Sequence, residues 1–198
     1  TYANASAGVA ALFAVMTKVG IYAIARVYGL AFGAGELAGL GRNVLWLMAL
    51  VTLVLAALGA LSARRLGEQI AYLVVMSVGT LVAGLAWGTP AAFGASLYYL
   101  VHSTLVCGGL FLLADLIGRG RGDLGDRIMA GPVPAGRGGL APLFFIGAVA
   151  VVGLPPLSGF FGKVALMQAV PAPLYWGLLL SAGLVALVGL SRSGATLF

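Results

Sequence analysis

Apolar residues run along this chain in long uninterrupted blocks, not in alternation. Stretches 44–63, 69–114, 138–162 and 164–191 hold no Asp, Glu, Lys or Arg. A helix crosses the hydrocarbon of a bilayer in about 20 such residues. A barrel strand would alternate over about ten; these blocks are far longer and apolar all round. The pattern predicts an all-α, polytopic membrane helix bundle. Its six spans are expected at 7–31, 44–63, 69–87, 91–114, 140–169 and 173–191, within one transmembrane unit, 1–198. Polar connections lie between them: Glu36 and Arg42; Arg64, Arg65 and Glu68; the turn Gly88-Thr89-Pro90; a long segment with Asp115, Arg119, Arg121, Asp123, Asp126, Arg127 and Arg137; and Val170-Pro171-Ala172.

Composition supports this pattern. The 198 residues are 62% hydrophobic and 8% charged, with mean hydropathy +1.10. A soluble domain carries about a quarter charged residues, and disorder needs the opposite balance. The 31 glycines have no three-residue period, which excludes a collagen. The net charge of +6 is scattered through loops, with no basic helix that would bind nucleic acid. If six helices alternate, Arg64, Arg65, Arg119, Arg121, Arg127, Arg137 and Arg192 share one side and Arg42 lies on the other. That asymmetry places the Arg-rich side in the cytoplasm. Trp46, Trp87 and Trp176 fall near span ends, as an interfacial belt requires. The single Cys107, inside an apolar block, forms no intrachain disulfide. The chain opens Thr-Tyr-Ala-Asn, without Met or a basic leader, so it is expected to be a fragment of a longer protein.

Three residues fall where a membrane helix should hold none of their kind. Lys18 lies about 16 Å into its span at 1.5 Å per residue, too deep to snorkel. A charge there costs about 3 kcal/mol on insertion scales. It is either half of a static bridge to a carboxylate or a protonatable group on a hydrated path. Lys163 follows Pro155 and Pro156, which remove two amide donors and interrupt the helix. Carbonyls near Val151 and Val152 then lose their helical partners, which membranes tolerate only where protein or water replaces the bond. Ser158 is expected to cap the restarted half-helix. A broken helix followed by a buried lysine resembles a transporter ion site; the alternative is a plain proline kink. His102, the only histidine, sits in mid-span as a hydrogen-bonded structural residue or a proton relay. No second ligand stands at metal spacing.

Ser77, Ser96, Ser103, Thr104 and Tyr72 add hydroxyls of the kind that glue helices together. The glycine-rich segment 29–41 has no phosphate-loop pattern. No nucleophile–base pair or carboxylate pair is present, so neither enzymatic chemistry nor a cofactor is expected.

Three separated motifs carry a family likeness: Thr17-Lys18-Val19-Gly20-Ile21-Tyr22-Ala23, Leu97-Tyr98-Tyr99-Leu100-Val101-His102-Ser103-Thr104, and Gly153-Leu154-Pro155-Pro156-Leu157-Ser158-Gly159-Phe160 through Lys163. They resemble the antiporter-like proton-translocating subunits shared by respiratory complex I and multisubunit cation/proton antiporters. The proline–lysine wording is most similar to the D-type subunit of the Mrp (Mnh, Pha) antiporters. The resemblance covers essentially the whole chain. It implies the eighth to thirteenth helices of a fourteen-helix fold, within the second of two inverted repeats that each contain a broken helix. It aligns Lys18, His102 and Lys163 with the family's proton path, with Ser103, Thr104, Pro155, Pro156 and Ser158 in support.

The chain departs from the family pattern at Gly67-Glu68-Gln69, where many members carry a basic residue, and at Ser77, where some carry histidine. The resemblance implies a bacterial inner membrane location, partner subunits of an antiporter complex, protons exchanged for Na+ or K+, and no cofactor. Its alternatives are an antiporter-like component of complex I or of a membrane hydrogenase, and a structural membrane component without transport.

Overall fold

The computed structural model describes residues 5–31, 38–134 and 136–198, and these form seven α-helices and one short 3-10 turn. The helices are α1 (Ala7–Ala31), α2 (Ala38–Ser62), α3 (Leu66–Trp87), α4 (Pro90–Arg119), α5 (Arg137–Val152), α6 (Ser158–Ala169) and α7 (Pro173–Leu197); the turn is Gly122–Leu124. Five are long and apolar enough to cross a membrane, and α5 is a shorter apolar helix. The expected span 140–169 is the α5–α6 pair, interrupted at residues 153–157. With the broken pair counted as one, the described helices make six candidate crossings. Glu36 lies outside the described residues.

Several helices run past the apolar blocks that announced them. α4 continues to Arg119, so Asp115 and Arg119 belong to the helix and not to the loop, and they pair at 2.7 Å one turn apart. At 1.5 Å per residue α4 is about 45 Å long, so its last turns project beyond a hydrocarbon core of about 30 Å. A helix can end in charged residues once it has left the lipid, and an apolar window cannot see those turns.

Local chemistry sets the corners. Gly88 takes φ 76° at the end of α3, and the Thr89 side chain caps α4 by accepting from Ala92 N at 3.2 Å, with Pro90 at the first helical position. α2 and α3 form a close hairpin. A Cβ on Gly79 would lie 2.9 Å from Leu53 N, so only glycine permits that approach. α4 is the central helix, with α1, α3, α5 and α6 packed against it. Leu53, Leu73, Tyr99, Ile117, Phe144 and Leu166 are among the fully buried side chains of the core.

The loops expected to share one side meet at one end of the bundle. Leu66 N donates to Asp126 O at 2.8 Å, Ile128 N donates to Arg64 O at 2.9 Å, and Arg65 pairs with Asp126 at 2.9 Å. Arg192, near the end of α7, donates to Leu61 O at 2.8 Å. Arg121 is buried there and donates to the carbonyls of Arg127, Met129, Gly125 and Pro132, which folds the long segment over its guanidinium. At the opposite end Trp46 packs on Trp87 and Tyr175, with ring centroids 5.6 and 5.8 Å apart. Trp176 donates to Met167 O and Val170 O and closes the α6–α7 corner.

Candidate functional site

Lys18, His102 and Lys163 all face the interior, at 5%, 7% and 6% exposure. Lys18 Nζ donates to Ser77 Oγ on α3 at 2.5 Å, and Ser77 in turn donates to Val74 O at 2.7 Å. Lys163 Nζ donates to Val152 O, the last carbonyl of α5. That carbonyl is available because the chain turns away at Gly153 instead of continuing the helix. The ammonium thus sits at the partially negative end of a half-helix.

His102 joins the two halves of the broken crossing. Its Nε2 lies 3.1 Å from Ala150 O on α5, and its Nδ1 lies 2.8 Å from Ser158 Oγ on α6. A carbonyl only accepts, so Nε2 carries a proton. In the neutral ring, Nδ1 accepts from the Ser158 hydroxyl. In the charged ring, Nδ1 donates and the Ser158 hydroxyl must turn. One added proton therefore reverses one hydrogen bond.

Ser158 does not perform the capping expected of it. It is the first residue of α6, Leu157 occupies the cap position, and no side chain caps the helix. The hydroxyl is engaged by the imidazole instead. Pro155 and Pro156 lie in the break and donate nothing to it. Ser103 and Thr104 both donate to Leu100 O on their own helix, at 3.2 and 2.7 Å, and not to the lysines or the imidazole.

Glycines shape the break. Gly153 holds φ 80°, which disfavours any other residue. A Cβ on Gly159 would overlap Ala150 O and lie 2.6 Å from His102 Nε2. The imidazole occupies the space that a side chain at this position would need. Beyond Lys163 a cavity of about 400 Å³ opens between the break and α7, lined by Gly153, Pro155, Lys163 and Gly183 among largely apolar neighbours.

Sequence reasoning passed over Tyr99. It is 1% exposed, and its ring lies 5.9 Å from that of His102. Thr80, on the facing α3, donates its own proton to Met76 O at 3.1 Å. Thr80 is one turn beyond Ser77 on α3, and Tyr99 is three residues before His102 on α4. Tyr99 therefore packs beside the imidazole. The buried thiol of Cys107 lies within electrostatic reach of both Lys18 and Tyr99. The signal that could have found Tyr99 was its i, i+3 spacing from His102, which puts both on one helix face.

Among the described residues the ion pairs are Arg65–Asp126 and Arg119–Asp115, both at the Arg-rich end. Neither Lys18 nor Lys163 has a carboxylate partner there, so the static-bridge reading of Lys18 has no counter-ion among these residues. No cluster of His, Cys, Asp or Glu among them could hold a metal ion.

Residues 1–189 match the family model described as NADH:quinone oxidoreductase/Mrp antiporter, transmembrane. The chain is 34% identical to a probable K(+)/H(+) antiporter D-type subunit of Rhizobium meliloti (strain 1021), covering 100% of this chain and 43% of that protein. It is 36% identical to the Na(+)/H(+) antiporter D-type subunit of Bacillus subtilis (strain 168), covering 85% of this chain and 34% of that one. Among solved structures it is similar in fold to a chain of the Mrp complex from Dietzia sp. DQ12-45-1b, with TM-score 0.85, 24% identity, and coverage of 100% of this chain and 37% of that one. The chain thus spans less than half the length of each of these relatives.

Proposed function

The chain belongs to the NADH:quinone oxidoreductase/Mrp antiporter transmembrane family, and on that premise we propose that it is part of the proton-translocating subunit of a multisubunit monovalent cation/proton antiporter. The observation that carries this reading is a set of two ammonium groups and one imidazole buried in the bundle, each resting on a hydroxyl or a carbonyl and none on a carboxylate among the described residues. A full charge held in low dielectric without a counter-charge is costly. Groups so placed suit transient protonation better than static bracing.

Protons pass from Lys18 to His102 along ordered water, beside Ser77 and Tyr99. At His102 an arriving proton turns the Ser158 hydroxyl, and release restores it. Lys163 then takes the proton at the end of α5 and exchanges it through the adjoining cavity. A cation at one station disfavours a cation at the next, which drives successive transfers. Lys18 connects to the half of the protein not contained in this chain. The Arg-rich end faces the cytoplasm of a bacterial plasma membrane. The exchanged cation is Na+ or K+, since the relatives are named for both. Other subunits of the complex supply the coupling that this array lacks.

A second reading, favoured by the scope of the family, is an antiporter-like component of a respiratory complex, in which redox chemistry elsewhere drives the same path. The test is Lys18→Ala and Lys163→Ala in the full-length protein, assembled with its partners in vesicles. Exchange of Na+ or K+ driven by a pH gradient is expected to fall at least about tenfold, equivalent to about 1.4 kcal/mol in a barrier. Wild-type exchange in correctly assembled variants would exclude the assignment. Exchange that requires an added quinone reductant would favour the second reading.

A further inference from the structure

The buried ammonium of Lys163 carries several N–H donors, and among the described residues the Val152 carbonyl is the one acceptor bonded to it. Val152 O keeps a second lone pair, and Pro156, one turn further on, has no N–H to offer it. Both atoms face one position on α7, Gly183. A Cβ there would lie 3.5 Å from Lys163 Nζ and 3.7 Å from Val152 O, and would meet no other atom of another helix within 4 Å. Glycine is a poor helix former, and two other glycines of α7 have a steric reason for being there. A Cβ would lie 3.3 Å from Ala60 O at Gly189 and 2.7 Å from the Phe145 ring at Gly194. Gly183 is buried without such crowding, and it opens on the cavity of about 400 Å³ between the break and α7. A buried water needs roughly two to four polar partners. The cavity wall is otherwise largely apolar, so the corner beside Gly183 is where an ordered water finds them.

We infer that Gly183 is a positioning residue for Lys163: the space beside its bare Cα holds a water that accepts from Lys163 Nζ and donates to Val152 O. The second hydrogen of that water points into the cavity. This water is the first that a proton meets on leaving the ammonium. An N–H bond of Lys163 breaks as an O–H bond forms on the water, and the water hands one of its own protons to the next water in the cavity. Lys163 is left as a neutral amine and the bound water as water. As a route for protons the site rests on the function proposed above; as a water site it does not.

The test uses Gly183→Ala and Gly183→Ser in the full-length complex. Alanine fits without a clash but fills the space of the water with a methyl group. Serine fills the same space and brings a hydroxyl that can take the place of the water on Lys163 Nζ. In the wild type, density for a water within hydrogen-bond distance of Lys163 Nζ and Val152 O is expected at a resolution that shows ordered solvent, and it should vanish in the alanine variant. The thermal midpoint of the alanine variant should hold or rise, as for a helical glycine that nothing crowds. Its proton-driven exchange should nevertheless slow by about fivefold, the loss of one ordinary hydrogen bond from a relay, and serine should recover most of that loss. A role in packing alone would move the midpoint and would not separate serine from alanine. Absence of the water, a lowered midpoint in the alanine variant, or a serine variant as slow as the alanine one would each overturn the inference. So would wild-type exchange in the alanine variant where Lys163→Ala abolishes it. If Lys163→Ala itself leaves exchange intact, the proton path falls as a whole, and the density still decides the water site.

Discussion

Gly159→Ala adds one methyl group at the point where α5, α6 and the imidazole converge. The new Cβ would lie 2.6 Å from His102 Nε2 and 3.1 Å from Gly153 Cα, and closer still to Ala150 O. Two of these neighbours are backbone, and the third is held by hydrogen bonds at both ring nitrogens. None is the loose end of a flexible side chain, so relief requires α6 to move or the imidazole to leave Ala150 O. Overpacking of this kind costs about 1–3 kcal/mol, and the lost hydrogen bond adds about 1 kcal/mol. The expected destabilisation is therefore about 2–4 kcal/mol. The assay is the thermal midpoint of the purified full-length complex, together with proton-driven exchange in vesicles. Exchange should fall further than the midpoint alone explains, since the displaced group is the proposed relay. Gly177→Ala is the matched control: nothing lies within 4 Å of its Cβ, and a helical Gly→Ala change is neutral or stabilising by up to about 1 kcal/mol. A Gly159→Ala complex with wild-type midpoint and wild-type exchange would show that the imidazole is not held as described.

Two further outcomes follow from individual contacts. Ser77→Ala removes the acceptor of Lys18 Nζ and leaves an ammonium buried without that partner; destabilisation of about 1–3 kcal/mol is expected, with Ser77→Thr recovering most of it, and an unchanged thermal midpoint in the alanine variant would contradict the contact. Arg121→Lys keeps the charge but replaces a planar fork that reaches four carbonyls by a single ammonium; limited proteolysis should then cut within 122–132 several-fold faster than in the wild type, and equal protection would show that the guanidinium does not fold this segment.

Which features were legible in the sequence depended on the range of the physics behind them. Lys18, His102 and Lys163 stood out because a charged or titratable residue in a block of apolar ones is costly wherever the block folds. The break between α5 and α6 was legible because proline lacks an amide and obstructs the preceding turn, a property of the residue itself. Tyr99 carried no such mark, being an aromatic residue in an aromatic-rich motif. Ser158 shows the limit in another way. A serine at a helix start reads as a cap, and a competing acceptor on α4, 56 positions away, took its hydroxyl instead.

By itself the sequence determined that this chain is a membrane helix bundle, that one of its helices is broken, and which three residues stand out in the apolar blocks. Those are consequences of solvation and of covalent geometry, which act on each segment alone. Only the tertiary structure decided the partners: Ser77 under Lys18, Val152 O under Lys163, Ala150 O and Ser158 on either side of His102, and the Tyr99 ring beside it. Hydrogen bonds act over about 3 Å, and which helix faces come within that distance depends on how all of them pack together.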